Sequence, residues 1–154
     1  MFRTGMVLAL LLATPAALAH GVTQGDIELI HPHIPQPVAS ARAAAGYLGI
    51  VNEGPEADRL IGIESRIAAK IDLHVTEHHG GVARMVALEA VEIPPGEVVL
   101  LEPDGMHIML MGLTTPLVEG EMHPVTFIFE RAGRIDTEFQ IDPPGGADHS
   151  HHSP

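Results

Sequence analysis

The sequence predicts an all-β fold, an antiparallel β-sandwich or Greek-key barrel, and three observations carry that expectation. Short apolar or alternating runs recur along the chain. Gly, Pro, Asn and Asp interrupt them at close intervals. No segment holds a capped period of 3.6 residues long enough to make a stable helix.

In chain order, strands are expected at residues 26–32, 45–52, 59–64, 69–77, 82–88, 98–101, 107–111, 125–130 and 134–141. The punctuation between them is strong. Asn52-Glu53-Gly54-Pro55, Gly80-Gly81, Pro94-Pro95-Gly96, Pro103-Asp104-Gly105 and Ala132-Gly133 all have turn chemistry. The Ala-rich stretch 38–45 has room for one helical turn between Pro37 and Gly46. No internal repeat is visible.

The two ends read differently from the middle. Arg3, the apolar run at residues 5–12 and the small-x-small triplet Ala17-Leu18-Ala19 make residues 1–19 a secretory signal peptide. The run is too short for a good membrane span, so no stable membrane insertion is expected after cleavage. Residues 20–141 are expected to form one β domain. Residues 142–154 open with two prolines and two glycines and end in a His cluster. They are expected to be a disordered, metal-binding tail.

Composition narrows the function. Loss of residues 1–19 removes one cation and no acid, which takes the formal charge from −12 to −13. Such a chain has no electrostatic attraction for nucleic acid or anionic lipid. The 154 residues contain no cysteine. That excludes disulfides, a thiolate nucleophile, zinc-finger and iron–sulfur ligation, and a blue-copper centre. The remainder is rich in soft and borderline metal ligands. All eleven histidines and five methionines lie beyond residue 19, against a single lysine, Lys70.

Strand parity sorts these ligands. In His107-Ile108-Met109-Leu110-Met111, His107, Met109 and Met111 share one face and Ile108 and Leu110 share the other. The second pair is ready-made core. In the same way His74 faces away from Leu73 and Val75. A loop at residues 77–81 should join the strands 69–77 and 82–88 as a hairpin. His74 and Met85 are then about equally far from the loop, and their Cβ atoms would lie about 5 Å apart if directly opposed. A lone strand methionine is ordinarily core filler. Two His and two Met converging on one face make a better case for Cu(I), a soft ion that thioether and imidazole bind without losing a proton.

The spacing carries a further signal. Ten residues separate His74 from Met85, twenty-one separate Met85 from His107, and one separates His107 from Met109. This pattern resembles that of the PCu(A)C family of periplasmic copper chaperones (DUF461). Tyr47, Asn52-Glu53-Gly54, Asp58-Arg59-Leu60, Ile93-Pro94-Pro95-Gly96, the run from His107 to Leu113, and Pro116-Leu117-Val118-Glu119-Gly120 also look like the family. The resemblance covers roughly residues 25–141. It implies a cupredoxin-like β-sandwich and one Cu(I) held at its rim by His74, Met85, His107 and Met109. It also implies delivery of that copper to a cytochrome c oxidase subunit or its assembly factors. Two departures stand out. Members often have a methionine directly after the first histidine, where this chain has Val75, which leaves Met111 or Met106 as substitute sulfurs. Many have a tryptophan near the first strand, where this chain reads His31-Pro32-His33.

Other histidines suggest a second, nitrogen-rich site. Cleavage after Ala19 would make His20 the N-terminus, where α-amine and imidazole together favour Cu(II). The tail residues His149, His151 and His152 are further auxiliary candidates. His31 and His33 share a face if that segment is extended. His78 and His79 are expected in the hairpin loop, and His123 has no assigned role. Copper sequestration without a recipient is the competing reading. An oxidative copper enzyme is disfavoured, because four phenylalanines, one tyrosine and no tryptophan give little substrate-binding aromatic surface.

Overall fold

The computed structural model describes residues 21–145. Eleven strands account for the fold: β1 (Gly21–Gln24), β2 (Ile27–Pro35), β3 (Ala43–Asn52), β4 (Asp58–Glu64), β5 (Ala68–His79), β6 (Val82–Leu88), β7 (Val91–Ile93), β8 (Val98–Leu101), β9 (Met106–Leu113), β10 (Met122–Phe129) and β11 (Gly133–Asp142). Hydrogen-bonded neighbours run in the order β6–β5–β9–β3–β2–β11–β10–β4–β7, with β1 added to β2 and β8 to β3. The protein is all-β, as expected, and no helix occurs among the described residues.

All nine expected strands are present. Two short ones escaped the sequence reading. β1 has a single apolar residue and gains its partner through a tight turn at Gly25, whose φ is +60°. β7 is only three residues long. The Ala-rich stretch before β3 makes one turn, closed by Ala41 N–H donating to the Val38 carbonyl at 2.9 Å, and not a helical one. The sheet is also not wholly antiparallel, because β11 runs parallel to β2 with Ile141 beside Ile34.

β3 bends the structure around its core. Its first half, from Ala43 to Gly46, pairs with β9, and its second half pairs with β2 and β8. The side chains enclosed by this change of partner include Phe127, Phe129 and Phe139, with Leu29, Ile50, Ile108 and Leu110 among the fully buried aliphatics. The Phe127 and Phe139 rings meet edge-on at 5.8 Å, the arrangement their quadrupoles favour. Ile108, Leu110 and Leu73 are buried, as strand parity required, whereas Val75 is only half-buried near the end of its hairpin.

The β5–β6 hairpin is longer than expected. β5 continues through His79, so His78 and His79 are strand residues and the loop is Gly80-Gly81 alone. Both glycines have positive φ, +58° and +80°, as a two-residue hairpin turn of the right-handed twist demands. The loop estimate failed because two exposed histidines looked like loop chemistry.

Buried polar side chains hold the turns at the other end. Asn52 donates to the Glu56 and Ile93 carbonyls at 2.8 and 3.0 Å and accepts from Gly54 N–H. The buried carboxylate of Asp58 accepts from the backbone N–H groups of Arg59, Arg131 and Ala132 at 2.7, 2.9 and 2.9 Å. Asp58→Ala should therefore lower stability by about 2–4 kcal/mol, since it leaves backbone donors without their charged acceptor. Urea unfolding checks this, and a midpoint unchanged from the parent would show that water replaces the carboxylate fully.

Candidate metal centre

β9 lies between β5 and β3, and its register decides what meets what. His74 on β5 is the direct partner of His107 on β9. Opposed residues of an antiparallel pair share a face, so both rings stand on the same side of the sheet. Their centroids are 5.9 Å apart and the planes are nearly perpendicular. Met109, two residues on from His107, is on that face too, between Asp72 of β5 and Ala45 of β3.

Met85 is on the same face but not directly opposite His74. The two-residue turn puts Ala87 opposite His74 and Met85 opposite Thr76. The separation is therefore diagonal, about 7–8 Å between backbones, which a long thioether side chain can span. Met85 stands on the edge strand β6 and is 57% exposed. His107, by contrast, is 5% exposed.

The histidine rings are held unequally. His107 Nδ1–H donates to the Gly105 carbonyl at 3.1 Å, so in the neutral ring the lone pair is on Nε2. That same carbonyl accepts from Thr76 N–H at 3.1 Å. The bend before β9, with Asp104 at φ +64°, thus ties the two histidine-bearing strands together. His74 Nδ1 is buried and has no hydrogen-bond partner. A buried nitrogen left in that state costs about 1–3 kcal/mol, and a metal bond would offset the cost. Next along this face the Asp72 carboxylate is paired with Lys70 at 2.5 Å.

Other candidate sulfurs separate cleanly. Met111 is on the ligand face, one step beyond Met109 and opposite Lys70. Met106 alternates to the opposite face, pairs with Val75 and packs against the core. Position 75 itself faces away from His74. A methionine there would not have joined the ligand face, so Val75 removes nothing from it.

The remaining histidines are dispersed. His78 is exposed near the hairpin tip, and His79 lies 3.4 Å from the Glu77 carboxylate. His123 Nε2 is 2.9 Å from Glu121, and this contact with His123 holds the Glu121 carboxyl below its usual range. His31 and His33 do come together, and with a residue that the sequence reading passed over. Asp142, read as the start of the tail, is the last residue of β11 and is 2% exposed. A proline follows it, which looked like a boundary, but parallel pairing to β2 draws it inside. His20, His149, His151 and His152 lie outside the described residues, as do the signal peptide and residues 146–154.

Comparison with known proteins agrees with this architecture. Residues 27–141 match the family described as "LpqE-like: Putative lipoprotein LpqE-like". The "Putative lipoprotein Lxx21020" of Leifsonia xyli subsp. xyli is 35% identical over 92 residues, which is 59% of this chain and 55% of that protein. The match thus spans about half of that relative's length. Among solved structures, the copper-bound PCuAC domain from PmoF2 superposes with a TM-score of 0.71 at 26% identity, over 81% of this chain and 99% of that one. The Cu(I) form of DR1885 from Deinococcus radiodurans gives 0.63 at 26% identity, over 82% of this chain and 83% of that one. With three-quarters of its length matched and its strands in this arrangement, the chain belongs to the LpqE-like family, the PCu(A)C (DUF461) family that its His and Met spacing resembles.

Proposed function

We propose that this protein is an exported copper chaperone that binds Cu(I) through His74, His107, Met109 and Met85 and passes it to a recipient. The observation that carries this reading is the direct pairing of His74 with His107, with Met109 and Met85 on the same face. Two imidazoles and two thioethers are neutral donors. They suit a soft monovalent d¹⁰ ion and offer little to hard cations. The bond from His107 Nδ1 to a carbonyl orients the ring and raises its basicity, as outer-shell partners of metal-bound histidines do. The relatives with similar structures include copper-bound and Cu(I)-bound proteins.

Transfer is favoured by the asymmetry of the set. The two histidines and Met109 are on inner strands, while Met85 is exposed on the edge. An incoming ligand would replace Met85 first. The recipient proposed from the family resemblance is the assembly pathway of cytochrome c oxidase. The signal-like residues 1–19 and the lipoprotein names of the relatives support an envelope location, the periplasm in this reading. His20 and the tail histidines are proposed to add a Cu(II) site at the chain ends.

His107→Ala and Met109→Ala should each weaken Cu(I) binding more than the ~10–100-fold typical of losing an outer-shell partner. Competition with a chromogenic Cu(I) chelator measures this, and undiminished affinity in both would sink the proposal. Deleting residues 146–154 should leave that affinity unchanged and lower only the number of Cu(II) ions bound at saturation. The break is placed after Gly145 because Asp142 is part of β11. Sequestration without a recipient predicts that the Cu(I)-loaded protein gives no copper to an apo recipient domain faster than free dissociation allows, and the chaperone reading predicts the reverse.

A further inference from the structure

His31, His33 and Asp142 present one donor atom each within 4.8 Å of one another. The geometry points to a second metal site at this cluster, built for divalent copper and separate from the His–Met face. It draws on no residue of the chain ends.

The donors are held by the fold. β11 runs parallel to β2 and brings Asp142 beside Pro35, two residues beyond His33. The Asp142 carboxylate is 3% exposed and lies 2.9 Å from His31 Nε2. A carboxylate that deep is costly unless compensated, and among the described residues the half-buried His31 imidazole is its side-chain hydrogen-bond partner. His33 Nδ1–H donates to the His31 carbonyl at 2.9 Å, so its neutral ring carries the lone pair on Nε2. The His31 and His33 rings stack at 4.5 Å with planes 20° apart.

Backbone conformation points the same way. His31 has φ +46°, a left-handed value that costs a non-glycine residue of order 1–3 kcal/mol. It lies where the β2–β3 register shifts, between Ile30 and His33. Bulges of this kind re-aim side chains next to functional sites. Here the bulge faces a cleft of about 480 Å³ lined by His31, His33, Tyr47, Leu100 and Pro103, which gives a hydrated ion a way in.

The donor set selects the ion. Two imidazoles and a carboxylate are nitrogen and oxygen ligands with one negative charge. They favour a borderline divalent ion over Cu(I), and among first-row divalent ions such a set binds Cu(II) most tightly. Tyr47 separates this site from the first. It pairs with His33 on one side and sits one residue beyond the Gly46–Ile108 pair on the other. Two strand spacings, about 10 Å, therefore divide His33 from His107.

Tyr47 also supplies the test. It is the only tyrosine, there is no tryptophan, and its ring lies 5.6 Å from that of His33. Cu(II) titrated into the full chain should quench Tyr47 emission in a saturable transition that persists when residues 146–154 are deleted, and its electron paramagnetic resonance should show nitrogen and oxygen donors. His33→Gln and Asp142→Asn should each weaken the quenching transition at least ~10-fold, the scale of a metal-shell loss. His107→Ala should leave it intact. Cu(I) affinity must stay at the parent value in His33→Gln and Asp142→Asn, which shows that these two variants are folded. Should Asp142→Asn fail that check, His33→Gln, which leaves the His31–Asp142 pair in place, decides alone. Quenching unchanged in His33→Gln overturns the site, and occupancy by Zn(II) without any Cu(II) quenching overturns the copper assignment.

Discussion

The Gly105 carbonyl oxygen accepts two hydrogen bonds, from Thr76 N–H and from His107 Nδ1–H. The first locks β5 to β9 at the mouth of the pair, and the second orients an imidazole. Because strand side chains alternate with a period of two, a slip of one residue between these strands would send His74 and His107 to opposite faces. The same slip would drive Leu73 out of the core and break its alignment with Ile108. Core burial and ligand convergence thus depend on one register. The apolar residues that specify the fold also specify the face of the proposed metal site, without any dedicated scaffold.

Much of that register was legible from the chain. The alternation in residues 107–111 assigned each side chain to a face correctly, because Ile108 and Leu110 are unambiguous core residues. The turn signals bounded the strands well, because glycines with positive φ and prolines punctuate the backbone for steric reasons. The hairpin offset was not legible. Whether a loop has two residues or five shifts the opposing residue by several positions, and exposed histidines are compatible with either. Asp142 was hidden for a related reason. A buried carboxylate beside two prolines looks like tail chemistry until the parallel strand β2, from the opposite end of the domain's sequence yet adjacent in space, encloses it.

The two proposed metal faces divide by donor hardness. The β5–β9 face offers imidazole and thioether, and the Asp72 carboxylate on it is engaged by Lys70. The β2–β11 cluster offers imidazole and a buried carboxylate, whose oxygen lies 2.9 Å from His31 Nε2. Copper in an envelope compartment meets both oxidising and reducing partners. A chain able to hold Cu(I) at one face and Cu(II) at another would keep either form from free solution, where Cu(I) disproportionates and Cu(II) seeks exposed nitrogen ligands.

In the proposed carrier role the protein must also let its copper go, and the uneven burial of the proposed ligand set fits that requirement. Four ligands on inner strands would bind tightly and exchange slowly, because each would have to leave a packed position. On this fold the set is split. His107 is nearly sealed, His74 is half-buried with an unsatisfied Nδ1, and Met85 is exposed on β6, an edge strand of the sheet among the described residues. An edge strand is ordinarily a liability, a template for pairing with other chains. Here that open edge runs beside the most exchangeable ligand. A recipient that pairs along β6 would bring its own donors to within reach of the copper at the moment Met85 yields, so docking and ligand exchange would be the same event.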